Sequence, residues 1–255
     1  MGKLITLLSD FGDRDGFVGI MKGVIMSINA DAHIINLAHG IPAGDIAAAA
    51  FVLERSHSYF PNDTIHVVVV DPGVGSTRRS LILKTEEYYF VGPDNGVFNR
   101  IPAIQNCVHI TNMDFCLPIS NTFHGRDVFA PVAAHISKGV PLDEFGPPVS
   151  DFYRQRPAAP EKGMAGIRGE IIYIDRFGNL VSNISESCLR DRTIKDSIIK
   201  GYSVSGLCHA YAERKKGEFL NIIGSHGNLE VACNQGSAAA DMEVTVGESI
   251  YIRFE

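Results

Sequence analysis

Four short strings in this chain set acidic, basic or amide side chains beside glycines. They are Ser9-Asp-Phe-Gly-Asp-Arg-Asp15, Asp71-Pro-Gly-Val-Gly-Ser-Thr-Arg78, Thr122-Phe-His-Gly-Arg-Asp127 and Asp175-Arg-Phe-Gly-Asn179. A carboxylate beside a guanidinium is a firm hydrogen-bond acceptor and a poor base, whereas an imidazole titrates near neutrality and can take a proton or orient a water. Asp71, Arg78 and His124 therefore form a set able to hold and activate a small polar nucleophile, with the base left open between His124 and Asp71. Asp10 can accept from two vicinal hydroxyls at once. Phe177 can stack a flat base while Asp175 and Asn179 satisfy polar edges, although Asp-x-x-Gly-Asn is also ordinary turn chemistry. The string Gly73-x-Gly75-x-x-Arg78 is a dinucleotide fingerprint with arginine at the third glycine position and no helical pattern after it, so it also reads as a strand-to-strand turn.

These strings need a scaffold that brings distant loops together. Lys3 to Ser9 reads as a strand, and Phe17, Val18, Met21, Val24, Ile25 and Ile28 recur at helical spacing. His33 to Leu37 reads as a second strand, Asp45 to His57 as an alanine-rich helix, and Thr64 to Val70 as a strand buried on both faces. Such alternation predicts βαβ units around a mostly parallel sheet. Ligands then bind beyond the carboxyl ends of the strands, where Asp10 and Asp71 fall. Leu81 to Leu83, Tyr88 to Val91 and Cys107 to Ile110 read as further strands, and Val128 to Ser137 as a helix after His124. A Pro/Gly-rich stretch from Gly146 to Gly163 reads as a linker. Beyond it the pattern turns to strands over Gly169 to Ile174, Leu180 to Ile184, Phe219 to Ile223, Leu229 to Ala232, Glu243 to Val246 and Ser249 to Phe254, which predicts a small sandwich or barrel. The expected domains are 1–157 (α/β) and 166–255 (all-β).

Bulk properties narrow the chemistry. With 255 residues, 45% of them apolar, there is enough material for two modest cores, and a net charge of −6 offers no electrostatic footprint for nucleic acid. The five cysteines form no C-x-x-C pair, which suits reduced thiols in the cytoplasm and disfavours structural zinc. Leu4 to Leu8 is too short for a signal h-region, and no run of about 18 apolar residues predicts a membrane span. Asp10, Asp13 and Asp15 do not complete a calcium loop, so no metal is expected. Motifs of serine hydrolases, zincins and P-loop proteins do not occur.

Taken in order, Ser9-Asp10-Phe-Gly, Lys22-Gly23, Asp71-Pro-Gly-Val-Gly, Gly92-Pro-Asp-Asn-Gly96, Phe123-His-Gly-Arg-Asp127, Phe177-Gly-Asn179 and Ser225 resemble the S-adenosylmethionine hydroxide adenosyltransferase family. These are adenosine-forming S-adenosylmethionine hydrolases, the water-using relatives of fluorinase and chlorinase. The resemblance implies a Rossmann-like α/β domain and a C-terminal β-barrel, in a homotrimer whose active sites lie between neighbouring subunits, with no cofactor beyond the substrate. It implies that Asp71, Arg78 and His124 position the attacking water, that Asp10 holds the ribose hydroxyls and that Phe123 lines the pocket. Asp175, Phe177, Asn179 and Ser225 then come from a neighbour's C-terminal domain, where Asp175 and Ser225 match positions binding the methionine amino and carboxylate ends and Asn179 one reading adenine. The halogenases carry Tyr in place of Asp71, Ser in place of Gly125, Trp in place of Gly44, Arg in place of Cys233, and a long insertion where this chain has only Leu83 to Tyr88. The first two of these differences and the missing insertion favour water over halide. A halogenase and a nucleoside-binding module without turnover are the alternatives.

Overall fold

The computed structural model describes residues 4–154 and 158–255. The chain divides into two compact units, Met1–Arg156 and Pro157–Glu255. The predicted linker falls partly, and the expected boundary at 157 wholly, outside the described residues, as does Lys3 of the first predicted strand.

In the first unit β1 (Leu4–Ser9), α1 (Phe17–Ile28), β2 (His33–Ala38), α2 (Ile46–Ser56) and β3 (Ile65–Val69) alternate as the sequence pattern requires. Then come β4 (Ser80–Lys84), β5 (Tyr89–Pro93), β6 (Asn106–His109) and α3 (Ala130–Ser137). The sheet order is β2-β1-β3-β5-β4-β6. Pairing is parallel from β2 through β5, and β4 lies antiparallel to both β5 and β6. Residues of β1 and β3 face alternate sides, as strand geometry dictates. Ile5, Leu7, Ile65, Val67 and Val69 pack with α1 and α3 in one core. Helix α2 begins where the Asp45 carboxylate accepts from Ala48 N (2.9 Å), and its alanines 48–50 are buried.

Facing the other way, Thr6 and His66 are fully buried and joined between Thr6 Oγ1 and His66 Nδ1 (2.8 Å). The His66 ring stacks on Phe90 and meets His57, Phe60 and Tyr88 edge-on. Its Nε2 atom is buried without a hydrogen-bond partner. Burial, with a smaller push from His57, lowers its pKa to about 3.

The second unit is nearly all strand: β7 (Glu161–Lys162), β8 (Gly166–Ile174), β9 (Leu180–Ser185), β10 (Ile194–Ile199), β11 (Tyr202–Ser205), β12 (Phe219–Ile223), β13 (Asn228–Cys233), the short α4 (Ala238–Asp241) and β14 (Ser249–Phe254). Their order is β11-β10-β14-β8-β9-β13-β12, antiparallel throughout, with β7 added on β8. The two ends of this path are drawn together by Asn221, a fully buried residue of β12. Its Nδ2 donates to Val204 O of β11 (2.8 Å) and to Gly206 O (2.8 Å), its Oδ1 accepts from Ser197 Oγ of β10, and its own carbonyl accepts from Cys208 N. The sheet is thereby a nearly closed, barrel-like one.

One sequence expectation is corrected here, and three strands were missed, one of them β7 inside the predicted linker. Glu243 to Val246 is not a strand: Glu243 adopts a left-handed φ of 53° just after α4, and the segment forms turns. Strands β10 and β11 were not predicted, because β10 carries Asp196 and Ser197 as buried residues. A bulge against β14 breaks its alternation, and the Arg253 guanidinium neutralises Asp196.

The pH dependence of stability follows from His66. Its folded pKa lies below the unfolded one, so between pH 6.5 and about 3 the unfolded chain binds the extra proton and stability falls as pH falls. One such group contributes up to about 1.4 kcal/mol per pH unit. Thermal melts from pH 7 to 4 should show a shallower decline for His66→Phe than for the parent chain; equal slopes would refute this assignment.

Candidate active site

The order β2-β1-β3 reverses direction between β1 and β3, which opens a crevice at their carboxyl ends. Ser9 pairs with Val69, so Asp10 leaves β1 beside Val70 and Asp71 follows on β3. A cavity of about 500 Å³ sits there, lined among others by Asp10, Gly44, Asp71, Phe123, His124 and Gly125. Phe11, Phe17 and Phe123 form an aromatic wall, with ring centroids 5.1 to 5.6 Å apart. Asp10 Oδ2 accepts from Gly44 N (2.8 Å). Its loop is tied to the end of β2 by the bond between Ser9 Oγ and His39 Nδ1 (2.8 Å) and by Gly12 N donating to His39 O (2.7 Å).

Two loops converge on the far wall. The first turns at Gly75, whose φ of 77° and contact with Asn121 O leave no room for a Cβ. That contact places the 71–78 loop against the chain three residues before His124. The second loop is pinned by Asp127, fully buried, which accepts from Ser120 N (2.8 Å), Ser120 Oγ (2.7 Å) and Arg126 Nε (2.5 Å). Burial opposes the charge on Asp127, yet the bonds from Arg126 and Ser120 outweigh it and hold the carboxyl below the usual carboxylate range. His124 itself leads into a π-helical turn, Gly125–Phe129, a distortion often found at functional sites. A Cβ on Gly125 would press within about 3.2 Å of Met21, Phe123 and Val69.

Arg78 joins the two loops. Its Nε lies 3.1 and 2.9 Å from the two Asp71 oxygens, Nη2 also donates to Asp71 Oδ2, and the same Nη2 donates to His124 Nδ1 (2.7 Å). Nη1 donates to Ser80 Oγ (2.9 Å), and the guanidinium lies 5.4 Å from the Phe129 centroid. The side chains of Arg78 and Asp71 are 9% and 4% exposed. Asp71 and His124 line the cavity, with Arg78 bridging them from outside its lining.

Burial and, next, the Arg78 charge push the His124 pKa below its ordinary value. A guanidinium can only donate, so Nδ1 is the acceptor and the single proton of the neutral ring sits on Nε2. In this arrangement the imidazole has no free lone pair: it offers a donor and cannot take a proton without losing Arg78.

The residues expected from the C-terminal half gather in a cavity of the second unit, of about 800 Å³, lined by Asp175, Phe177, Asn179 and Ser225 together with Tyr211 and Glu230. Asp175 accepts from Phe177 N (2.9 Å), Asn179 N (2.9 Å) and Asn179 Nδ2 (2.8 Å), so turn chemistry and site chemistry coincide in one side chain. Asn179 is buried, and Phe177 is 75% exposed. Gly178, at φ 83°, packs on Ser237 with no space for a side chain. Sequence reading missed Glu230. Burial and the neighbouring Asp175 charge raise its pKa to about 7, with a Tyr211 hydrogen bond acting against them. Its signal was a lone acid in an otherwise apolar strand, Leu229-Glu-Val-Ala-Cys233. Tyr211 carried no sequence signal.

Of the nine residues expected in the site, Asp10, Asp71, Phe123 and His124 line the first cavity, with Arg78 behind it, and Asp175, Phe177, Asn179 and Ser225 line the second. Among the described residues no group of three or more His, Cys, Asp or Glu is placed to hold a metal ion, and no helix is long and apolar enough to cross a membrane.

This geometry has known relatives. The SAM hydroxide adenosyltransferase N-terminal domain matches residues 5–146 and the C-terminal domain of the same family matches 169–251. The chain belongs to the SAM hydroxide adenosyltransferase family. It is 34% identical over 255 residues to an (R)-S-adenosyl-L-methionine hydrolase of Salinispora tropica, covering 97% of each chain. A protein of the same name from Methanocaldococcus jannaschii is 35% identical over 266 residues, covering 98% of this chain and 95% of its own. A fluorinase of Actinopolyspora mzabensis is more distant, at 21% over 98% of this chain and 96% of its own. Among solved structures, one described as an uncharacterized conserved protein from Thermotoga maritima superposes with a TM-score of 0.91 at 33% identity, over 98% of this chain and 99% of that one.

The bridge predicts a titration. The histidine ring signals of His124 should titrate below pH 6.5, and Arg78→Ala should move the midpoint upward because a repelling charge is gone. A midpoint unmoved by Arg78→Ala in an NMR titration would contradict the contact.

Proposed function

We propose that this chain is an S-adenosylmethionine hydrolase, releasing adenosine and methionine by in-line attack of water on the ribose C5′ carbon. The observation that carries this reading is the Asp71–Arg78–His124 bridge on the wall of a cavity whose near side presents Asp10. The family to which the chain belongs, and the hydrolase names of its relatives, support the same substrate.

The chemistry is a displacement in which the C5′–O bond forms as the C5′–S bond breaks. The sulfonium leaves as a neutral thioether, so no general acid is required. Water is the weak partner and must be oriented and relieved of a proton. Arg78 occupies one side of the Asp71 carboxylate, and each oxygen retains lone-pair capacity toward the cavity. Asp71 is then the acceptor for a water proton, and His124, held through Nδ1 by Arg78, lines the cavity beside it. This assigns to Asp71 the role that sequence reading left open. Holding water and carbon in line contributes up to about 7 kcal/mol in well-oriented cases.

Asp10, with one oxygen already satisfied by Gly44 N, accepts from the ribose 2′ and 3′ hydroxyls beside the Phe11, Phe17 and Phe123 wall. In the second cavity Asn179 reads adenine, Phe177 stacks on it, and Asp175 and Ser225 take the methionine amino and carboxylate ends. Asp175 keeps acceptor capacity beyond its three turn bonds, which suits an ammonium. We further propose a Rossmann-like fold for the first unit and a true barrel for the second. The proposed assembly is a cytoplasmic homotrimer whose active sites are completed by neighbouring subunits.

The test is incubation with S-adenosylmethionine in 18O-enriched water followed by chromatography and mass spectrometry. Adenosine carrying the label at its 5′ oxygen, with free methionine, is expected; 5′-halo-adenosine in the presence of chloride or fluoride, or no turnover, would overturn the reading. Asp71→Ala should lower kcat by about 10²- to 10⁴-fold with KM changed little, whereas equal losses of turnover and affinity would remove Asp71 from this role.

A further inference from the structure

The Gly92-Pro-Asp-Asn-Gly96 string has no part in the reaction as described, and neither Asp94 nor Asn95 lines the cavity. Its contacts fall at two particular places. β5 runs parallel to β3 and ends at Pro93, which has no N–H to continue the ladder. Two residues later Asn95 Nδ2 donates to Val70 O (2.9 Å), the carbonyl immediately before Asp71. The Asn95 side chain is set for this by its own Oδ1, which accepts from Val97 N (3.2 Å). On the other side Asp94 N donates to Arg79 O (3.0 Å), the residue immediately after Arg78. The Asp94 carboxylate, 7% exposed, also accepts from Arg79 Nε (2.8 Å) and pairs with Arg79 Nη2 (2.7 Å). Asp94 is itself braced, since its Oδ1 accepts from Tyr153 N (2.7 Å), and Arg79 Nη1 donates to Asp151 Oδ1 (2.6 Å).

We propose that the Gly92–Gly96 turn is a positioning device for the hydrolytic centre: Asn95 and Asp94 clamp the two ends of the 71–78 loop and so set the geometry of the Asp71–Arg78 pair. This deepens the hydrolase reading above and rests on it for its kinetic consequences. The physical argument is one of span. The loop between Val70 and Arg79 has no ladder: its turns are closed by Val74 N donating to Asp71 O (3.1 Å) and Ser76 N donating to Gly73 O (3.1 Å), and where those turns sit relative to the sheet depends on how the two ends are held. Adjacent residues of one turn hold both ends, which fixes the separation of the carboxylate and the guanidinium that share it. Asn95 and Asp94 touch no reacting atom; they are positioning residues acting through Asp71 and Arg78.

The test compares the parent chain with Asn95→Ala, Asp71→Asn and the double variant. Asn95→Ala should lower kcat about 10- to 100-fold with KM within about twofold, the scale expected when a reacting group is displaced by about an ångström. In the Asp71→Asn background the same change should cost less than about twofold, because the group it positions is already disabled. Equal losses in both backgrounds, the result expected if the variant merely reduced the folded fraction, would overturn the proposal. Asn95→Asp preserves shape but cannot donate when ionised, and full turnover in that variant would overturn it as well. A readout independent of turnover is the NMR signal of the Arg78 Nε–H proton. Its exchange with solvent should quicken at least about tenfold in Asn95→Ala, and an unchanged rate would refute the clamp. Absence of adenosine from the parent chain would refute the hydrolase reading and leave the exchange experiment to judge the clamp.

Discussion

One guanidinium carries the arrangement. Arg78 is almost buried, and such a charge is tolerated only when its donors are used. Here they are: Asp71, His124, Ser80 and the Arg79 carbonyl accept from it, and the Phe129 ring lies beside its plane. A planar fork can hold a carboxylate on one edge and extend one remaining donor to an imidazole. Through that second bond it decides the tautomer of His124, and through the first it leaves Asp71 with lone pairs on its cavity side. One donor-only group thus engages both side chains.

The fold supplies the conditions for that contact. A sheet whose order reverses between β1 and β3 delivers two carboxylates side by side, and the turn at Gly75 lets the Asp71 loop fold back on the backbone at Asn121. The buried Asp127 holds the His124 loop from beneath. Both loops lack a strand ladder, and side chains add restraint to their backbone turn bonds. In the second unit the same economy recurs. Asn221 draws the sheet toward closure, and Asp175 caps the turn that presents Phe177 and Asn179.

Much of this was legible from residue order. The Val67 to Val70 run is apolar on both faces because helices cover both, and it gave β3 directly. The helical recurrence from Phe17 to Ile28 and the alanine-rich run from Asp45 to His57 gave α1 and α2. Asp71, Arg78 and His124 stood out by their company, an acid, a guanidinium and an imidazole at loop positions of one sheet, and the structure joins the three by hydrogen bonds. What stayed hidden depends on tertiary neighbours. β10 was masked by Asp196, which is buried only because Arg253 meets it, and Glu243 to Val246 has strand composition but follows a helix end in a left-handed turn. The antiparallel insertion of β4 between β5 and β6 leaves no trace in local periodicity. Glu230, whose pKa burial raises to about 7, and Tyr211 gain their significance from a cavity wall that no spacing rule describes.

The central claim is that the shape of Arg78, beyond its charge, sustains turnover, and Arg78→Lys tests it most directly. An ammonium keeps the charge but cannot present two edges in one plane. Steady-state kinetics on S-adenosylmethionine should find kcat of Arg78→Lys reduced nearly as far as that of Arg78→Ala. Recovery of most of the parent turnover by lysine would contradict the account.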